Sequence, residues 1–160
     1  EAQLDRFLLK LQISYPSFDE LSTIVDRTTQ RQEVVIAPVI TAADIVEAQK
    51  LVREVPLASH VKNYAIRLAM ATHPQTPQAP EIVRKYVRYG SSPRGVQSLV
   101  LAAKARALFA GRLNVSFDDV RQVALPCLRH RLILNFEGEA EGIDSADLLT
   151  EIIRVLPELV

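Results

Sequence analysis

The chain has 160 residues, 48% apolar and 24% charged, with 19 Lys and Arg against 19 Asp and Glu. That balance fits one globular domain, or a small domain joined to part of another, with enough apolar side chain for a core. Zero net charge removes the field that draws in nucleic acid or an anionic membrane, and no apolar run approaches the roughly 20 residues that span a bilayer.

In chain order, Phe7 to Tyr15 reads as a strand, with Leu9, Leu11 and Ile13 on one face. Pro16 ends it, and Ser17 caps an expected helix from Phe18 to Arg31 with Phe18, Leu21, Val25 and Thr28 as its buried stripe. Glu33 to Ile40 reads as an extended linker stopped by Pro38. Thr41 opens a second helix with Asp44 as its capping-box partner, and Ile45, Ala48, Val52 and Val55 are its apolar positions. A third helix over Ser59 to Thr72 should bury Val61, Tyr64, Ala65 and Leu68, and the proline-rich run from His73 to Pro80 reads as a surface loop.

Glu81 to Tyr89 is expected as a short helix or turn. A long helix follows from Pro93 to Ala110, capped by Ser92 and closed by Gly111, with Val96, Leu99, Val100, Ala103 and Ala107 as its stripe. Ser116 and Asp119 form a capping box for the next helix, which Pro126 should kink or shorten. Leu132 to Phe136 reads as a short strand, Glu137 to Gly142 as an acidic turn, and Ala146 to Leu156 as a last helix with Leu149, Ile152, Ile153 and Leu156 inward. Five or six helices and two short extended pieces make the unit mainly α.

The single Cys127 excludes an internal disulfide and a cysteine metal cluster, and suits a reducing compartment, so the expected location is the cytoplasm. No basic-then-apolar leader is readable. The chain starts at Glu1 without a methionine, in what reads as a helix end, and is expected to be a fragment of a longer protein.

The chain has neither a G-x-x-x-x-G-K-[ST] phosphate loop nor a G-x-G-x-x-G turn. His60, His73 and His130 lack metal-ligand spacing, and Ser91 and Ser92 lie outside any G-x-S-x-G elbow, so no metal site and no self-contained enzyme is expected. Two lone arginines stand out instead. Arg6 follows a short helical run; its plainest reading is a surface cation paired with Asp5 or Glu1, worth little. Arg94 falls in the first turn of the long helix, where a cation opposes the helix dipole unless an anion sits at the same end.

These two segments carry a family resemblance. Glu1-Ala2-Gln3-Leu4-Asp5-Arg6-Phe7 resembles the "PEAQLDRF" segment of MoxR-type AAA+ ATPases, and Gly90-Ser91-Ser92-Pro93-Arg94 resembles their "GASPR" segment. Ser116-Phe117-Asp118-Asp119-Val120 and Leu128-Arg129-His130-Arg131-Leu132 are similar to the family's "T-x-E-D-V" and "LRHR" stretches. Magnesium-chelatase-type subunits share the "LDRF" pattern more loosely.

The resemblance implies a C-terminal piece: residues 1–16 as the last strand of an α/β nucleotide-binding core, 17–40 as connecting helix and linker, and 41–160 as a helical lid bundle with one or two short strands. It implies Arg6 as the arginine finger that reaches the γ-phosphate held by a neighbouring subunit, and Arg94 as the sensor-2 residue that contacts nucleotide. ATP and Mg2+ are then expected for the full-length protein, with neither held tightly by this piece, which lacks the Walker motifs and should be inactive alone. The resemblance further implies a homo-oligomeric, hexameric ring, chaperone-like remodelling of clients, and a partner with a von Willebrand factor A domain. His73 stands where many relatives have an arginine, and Arg129-His130-Arg131 is expected to serve packing or strand pairing. The competing reading is a helix-turn-helix module, with Ser92-Pro93-Arg94 opening a recognition helix. The apolar row Leu99 to Ala103 and the neutral charge speak against it.

Overall fold

A computed structural model describes residues 3–30 and 36–158. The expected end of the first helix at Arg31, the start of the expected linker at residues 33–35, and the first two residues of the "PEAQLDRF"-like segment lie outside the described residues. The described chain begins with a 3-10 turn, Leu4–Arg6, followed by α1 (Phe18–Thr29), α2 (Ala42–Glu54), α3 (Ser59–Met70), α4 (Glu81–Tyr86) and β1 (Val87–Tyr89). The long α5 (Pro93–Phe109), α6 (Phe117–Leu128), β2 (Ile133–Leu134), α7 (Phe136–Ala140) and α8 (Ser145–Val155) complete it.

Side-chain caps start most of the longer helices, because each satisfies amides that have no partner within the first turn. Ser17 with Glu20, Thr41 with Asp44 and Ser116 with Asp119 form reciprocal capping boxes on α1, α2 and α6. Ser92 Oγ accepts from the Arg94 amide to cap α5, and Pro93 supplies the first-turn φ. At the far end Gly111 takes φ +70°, a left-handed turn that a Cβ would strain.

Helix α5 is the centre of the bundle, packed by α2, α3 and α6. Leu99, Ala103 and Ala107 are fully buried on it, and the two small alanines leave room for the neighbouring helices to approach closely. Val61, Tyr64, Ala65 and Leu68 of α3 are buried as their spacing predicts, and the Tyr64 ring meets Phe117 of α6 edge-on at 5.3 Å. Leu148, Leu149 and Ile152 bring α8 onto the same core. β1 and β2 pair antiparallel, Val87 opposite Leu134 and Tyr89 opposite Ile133, with a register shift between them.

Three expectations need correction. Phe7 to Tyr15 is extended but forms no strand among the described residues: a strand needs a hydrogen-bonded neighbour, and the tie found there is Lys10 N–H to the Pro126 carbonyl at 2.8 Å. The α1 stripe is not buried; Phe18 is 85% exposed and Val25 54%, because no described element covers that face. The acidic segment after β2 is a short helix, α7, since the Asn135 side chain accepts from the Gly138 amide and caps it before Gly142 closes it at φ +67°. Helix α6 runs to Leu128, next to its expected end at about Arg129, with Pro126 in its last turn, where a proline removes only one of the final hydrogen bonds.

Gly90 joins the small sheet to α5 and passes close to the end of α3. A Cβ there would lie 2.6 Å from the Thr72 carbonyl oxygen, a backbone atom held by the end of α3. Gly90→Ala is expected to destabilise the fold by about 1–3 kcal/mol. It should lower the urea midpoint while leaving the denaturant slope unchanged.

Candidate functional site

The loop Gly90-Ser91-Ser92 is fixed from below by the residues that end α3. Thr72 Oγ1 accepts the Ser91 amide at 2.9 Å, and His73 Nε2 donates to the Ser91 carbonyl at 2.8 Å. His73 therefore holds the loop that delivers Arg94, a role with no signal in the sequence beyond its place at a helix end. Ser92 then caps α5 and also donates to Asp5, whose two carboxylate oxygens lie 2.8 and 2.9 Å from Ser92 Oγ.

Asp5 is the hub of the site. Its Oδ2 accepts from Arg94 Nη1 at 3.2 Å, and its Oδ1 from Arg131 Nε at 3.1 Å. Burial works against the charge on Asp5, but the hydrogen bonds from Ser92, Arg94 and Arg131 outweigh it and hold its carboxyl below the ordinary range. The sequence called for an anion at the start of α5 to accompany Arg94. The structure puts the Asp5 carboxylate there, which removes the conflict between Arg94 and the helix dipole.

Arg131 is 5% exposed and grips the segment around Arg6. Its Nη2 donates to the carbonyls of Asp5 at 3.0 Å and Phe7 at 2.7 Å, and its Nη1 to the Cys127 carbonyl. His130 Nε2 adds a second donor to the Phe7 carbonyl at 3.1 Å. Burial leads the forces that push the His130 pKa down, so the neutral ring that donates through Nε2 is favoured. The Cys127 thiol is pushed up to about 12 by burial and is chemically inert.

Arg6 and Arg94 come together. Both line one cavity of about 270 Å3, with Asp5, Arg131, Leu8 and Gln97 in its wall. Arg6 is exposed, and among the described residues no carboxylate pairs with it; the expected partner Asp5 is turned toward Arg94 and Arg131 instead. Three arginines and a single carboxylate thus line the cavity, an excess of positive charge suited to an anion. Phosphate oxygens match the planar two-donor edge of arginine. Among the described residues there is no group of three or more His, Cys, Asp or Glu that could hold a metal ion.

Sequence reasoning missed Arg131 and Asp5 as partners. The available signal was an arginine between Leu128 and Leu132, flanked by apolar residues that had to be buried, which obliges the cation to find a partner. Helix-turn-helix reading gains nothing here, because the first turn of α5 is occupied by Asp5 and its sides by α2, α3 and α6. No helix of the described residues is long and apolar enough to cross a membrane.

Residues 79–152 match the family described as AAA lid domain. YeaC, an uncharacterised protein of Bacillus subtilis, is 35% identical over 157 residues, covering 98% of this chain and 46% of its own length. Chaperone MoxR1 of Mycobacterium tuberculosis is 29% identical over 158 residues, 98% of this chain and 41% of its own. The crystal structure of a candidate ATPase from Cytophaga hutchinsonii superposes with a TM-score of 0.90 at 29% identity, covering 99% of this chain and 48% of that one. The chain therefore spans less than half the length of the curated relatives it matches.

Proposed function

Because the chain belongs to the MoxR-type AAA+ ATPases and includes their lid, we propose that it supplies the lid and the arginine finger of a ring-forming ATP hydrolase. In this reading residues 1–16 end the nucleotide-binding core, 17–40 connect it, and 41–160 form the lid. The observation that carries the proposal is the shared cavity of Arg6 and Arg94, with its excess of cation over carboxylate.

Phosphoryl transfer develops negative charge on the equatorial oxygens of the moving group, and fixed donors at that position lower the barrier. Arg6 reaches out from the rim of the cavity toward a γ-phosphate held by the adjacent subunit. Arg94 engages phosphate from the lid and must leave or share Asp5 to do so. Bound ATP–Mg2+ supplies the transferable phosphoryl group; the metal ligands lie outside the residues described, and the chain alone is not expected to turn over ATP. Lid movement during turnover then drives remodelling of client proteins inside a homo-oligomeric, hexameric ring, in keeping with the chaperone designation of the Mycobacterium relative. A von Willebrand factor A-domain partner and a cytoplasmic location belong to the same reading.

Subunit mixing tests it. In the intact protein, Arg6→Ala subunits combined with subunits unable to bind nucleotide should regain ATP turnover, because each kind supplies what the other lacks. Mixtures as inactive as either parent would remove the trans assignment. Arg94→Ala should raise the ATP dissociation constant by about 10-fold, the loss of one charge-assisted hydrogen bond worth about 1.5 kcal/mol. Equilibrium titration with a fluorescent ATP analogue reads this directly, and an unchanged constant would remove Arg94 from the nucleotide site.

A further inference from the structure

We infer that Arg131 is the positioning residue for Arg6, so that the lid of one subunit sets the finger presented to the next; this rests on the reading of Arg6 as a finger. The geometry is specific. Arg131 Nη2 bonds to the carbonyls of residues 5 and 7, one on each side of Arg6, at 3.0 and 2.7 Å. Its Nε holds the Asp5 side chain at 3.1 Å, and its Nη1 is anchored on the Cys127 carbonyl in the last turn of α6. One buried guanidinium therefore ties two backbone carbonyls and one carboxylate around the 3-10 turn to the end of a lid helix.

Nothing else in the surroundings fixes that turn as firmly. Leu4, Arg6, Phe7 and Leu8 are exposed, and apart from Arg131 the segment is held by its own bonds, Arg6 N–H to Gln3 and Phe7 N–H to Leu4 at 3.2 and 3.1 Å, by His130 on the Phe7 carbonyl, and by Ser92 and Arg94 on the Asp5 side chain. Cys127 and Arg131 frame the end of α6, which packs along α5, so a rotation of the lid carries the clamp with it. Asp5 closes the circuit, because the same carboxylate bonds to Arg131, Arg94 and Ser92. If nucleotide draws Arg94 away, Asp5 keeps only Ser92 and Arg131, and the turn that bears Arg6 answers to the lid alone.

Lysine cannot reproduce a fork that reaches two carbonyls and a carboxylate together, so Arg131→Lys removes the clamp while keeping the charge. In the intact ATPase it is expected to lower kcat by about 10- to 100-fold, the cost of a reacting group displaced by about 1 Å. KM for ATP should not change, and Arg6→Ala/Arg131→Lys should be no slower than Arg6→Ala alone, since the clamp acts through that side chain. A purely structural role would instead lower the melting temperature and multiply with Arg6→Ala. Where Arg131→Lys does not fold, Asp5→Asn serves: it weakens one end of the clamp at a partly exposed site, and its kcat loss should likewise vanish in the Arg6→Ala background. Multiplicative losses, or full kcat in both variants, overturn the inference while leaving the finger intact. Full turnover in Arg6→Ala overturns the finger and the positioning role together.

Discussion

Arg6→Ala in the intact protein should lower kcat for ATP by at least about 10³-fold while leaving the ATP dissociation constant unchanged. The size follows from what a guanidinium contributes when it meets the charge developing on a transferring phosphoryl group, about 10³–10⁵ in rate in other nucleotide hydrolases. The split between kcat and binding follows from position. Arg6 is exposed at the edge of its own chain's cavity, and under the proposed function its contact would be made with a nucleotide that a neighbour already holds by other groups. Arg6→Lys should recover little of the loss, because a point charge on a flexible stem does not offer two parallel donors. A single-turnover measurement with ATP saturating separates chemistry from binding. An Arg6→Ala protein within a few-fold of the wild-type rate would end the finger assignment.

Much of the fold was readable because it rests on local chemistry. Thr41 with Asp44 and Ser116 with Asp119 announce helix starts through side chains three residues apart, and both boxes are formed. Ser92-Pro93 and Gly111 bracket α5 for the same kind of reason, an amide needing a cap and a turn needing φ > 0. Periodicity was less informative, since it names a face without naming its partner. The apolar positions of α3 found a core; those of α1 have none among the described residues, and Phe18 stays exposed. The extended run from Phe7 has strand alternation, yet alternation does not supply the second strand that would hydrogen-bond it.

The site was half legible for a related reason. Arg6 and Arg94 could be singled out one at a time, each by an awkward placement next to an apolar element. Their meeting depends on Asp5 and Arg131, which are 126 residues apart and joined only by the way α6 ends above the first turn. No spacing rule reaches that far. What the sequence did contain was the dipole conflict at Arg94, which required an anion and so pointed toward Asp5 without naming it.

Asp119→Ala is expected to be the most damaging change away from the cavity. Asp119 is 0% exposed, in the first turn of α6. Its Oδ1 accepts from Arg112 Nη2 at 2.5 Å and Arg106 Nη1 at 3.1 Å, and its Oδ2 from Arg112 Nη1 at 2.6 Å and the Ser116 amide at 2.9 Å. The carboxylate thus ties the end of α5 and the loop after it to the start of α6. Alanine removes a two-pronged ion pair and half of a capping box, about 3 kcal/mol from charge-assisted hydrogen bonds and a lost cap. The arginines left behind reach solvent, which keeps the loss below that of a fully buried broken pair. The Arg112 guanidinium leads the groups that hold the Asp119 carboxyl well below the usual carboxylate range. A lowered folded-state pKa means that this stabilisation is fully present above the unfolded value of about 3.9 and is lost progressively as pH falls from there through the lower folded-state value. Urea midpoints should therefore differ most between wild type and Asp119→Ala at pH 6–7 (about the neutral plateau) and converge progressively below about pH 4. A gap between the two proteins that stays constant down to strong acid would show that the carboxylate charge contributes nothing, and that Asp119 acts only by filling space.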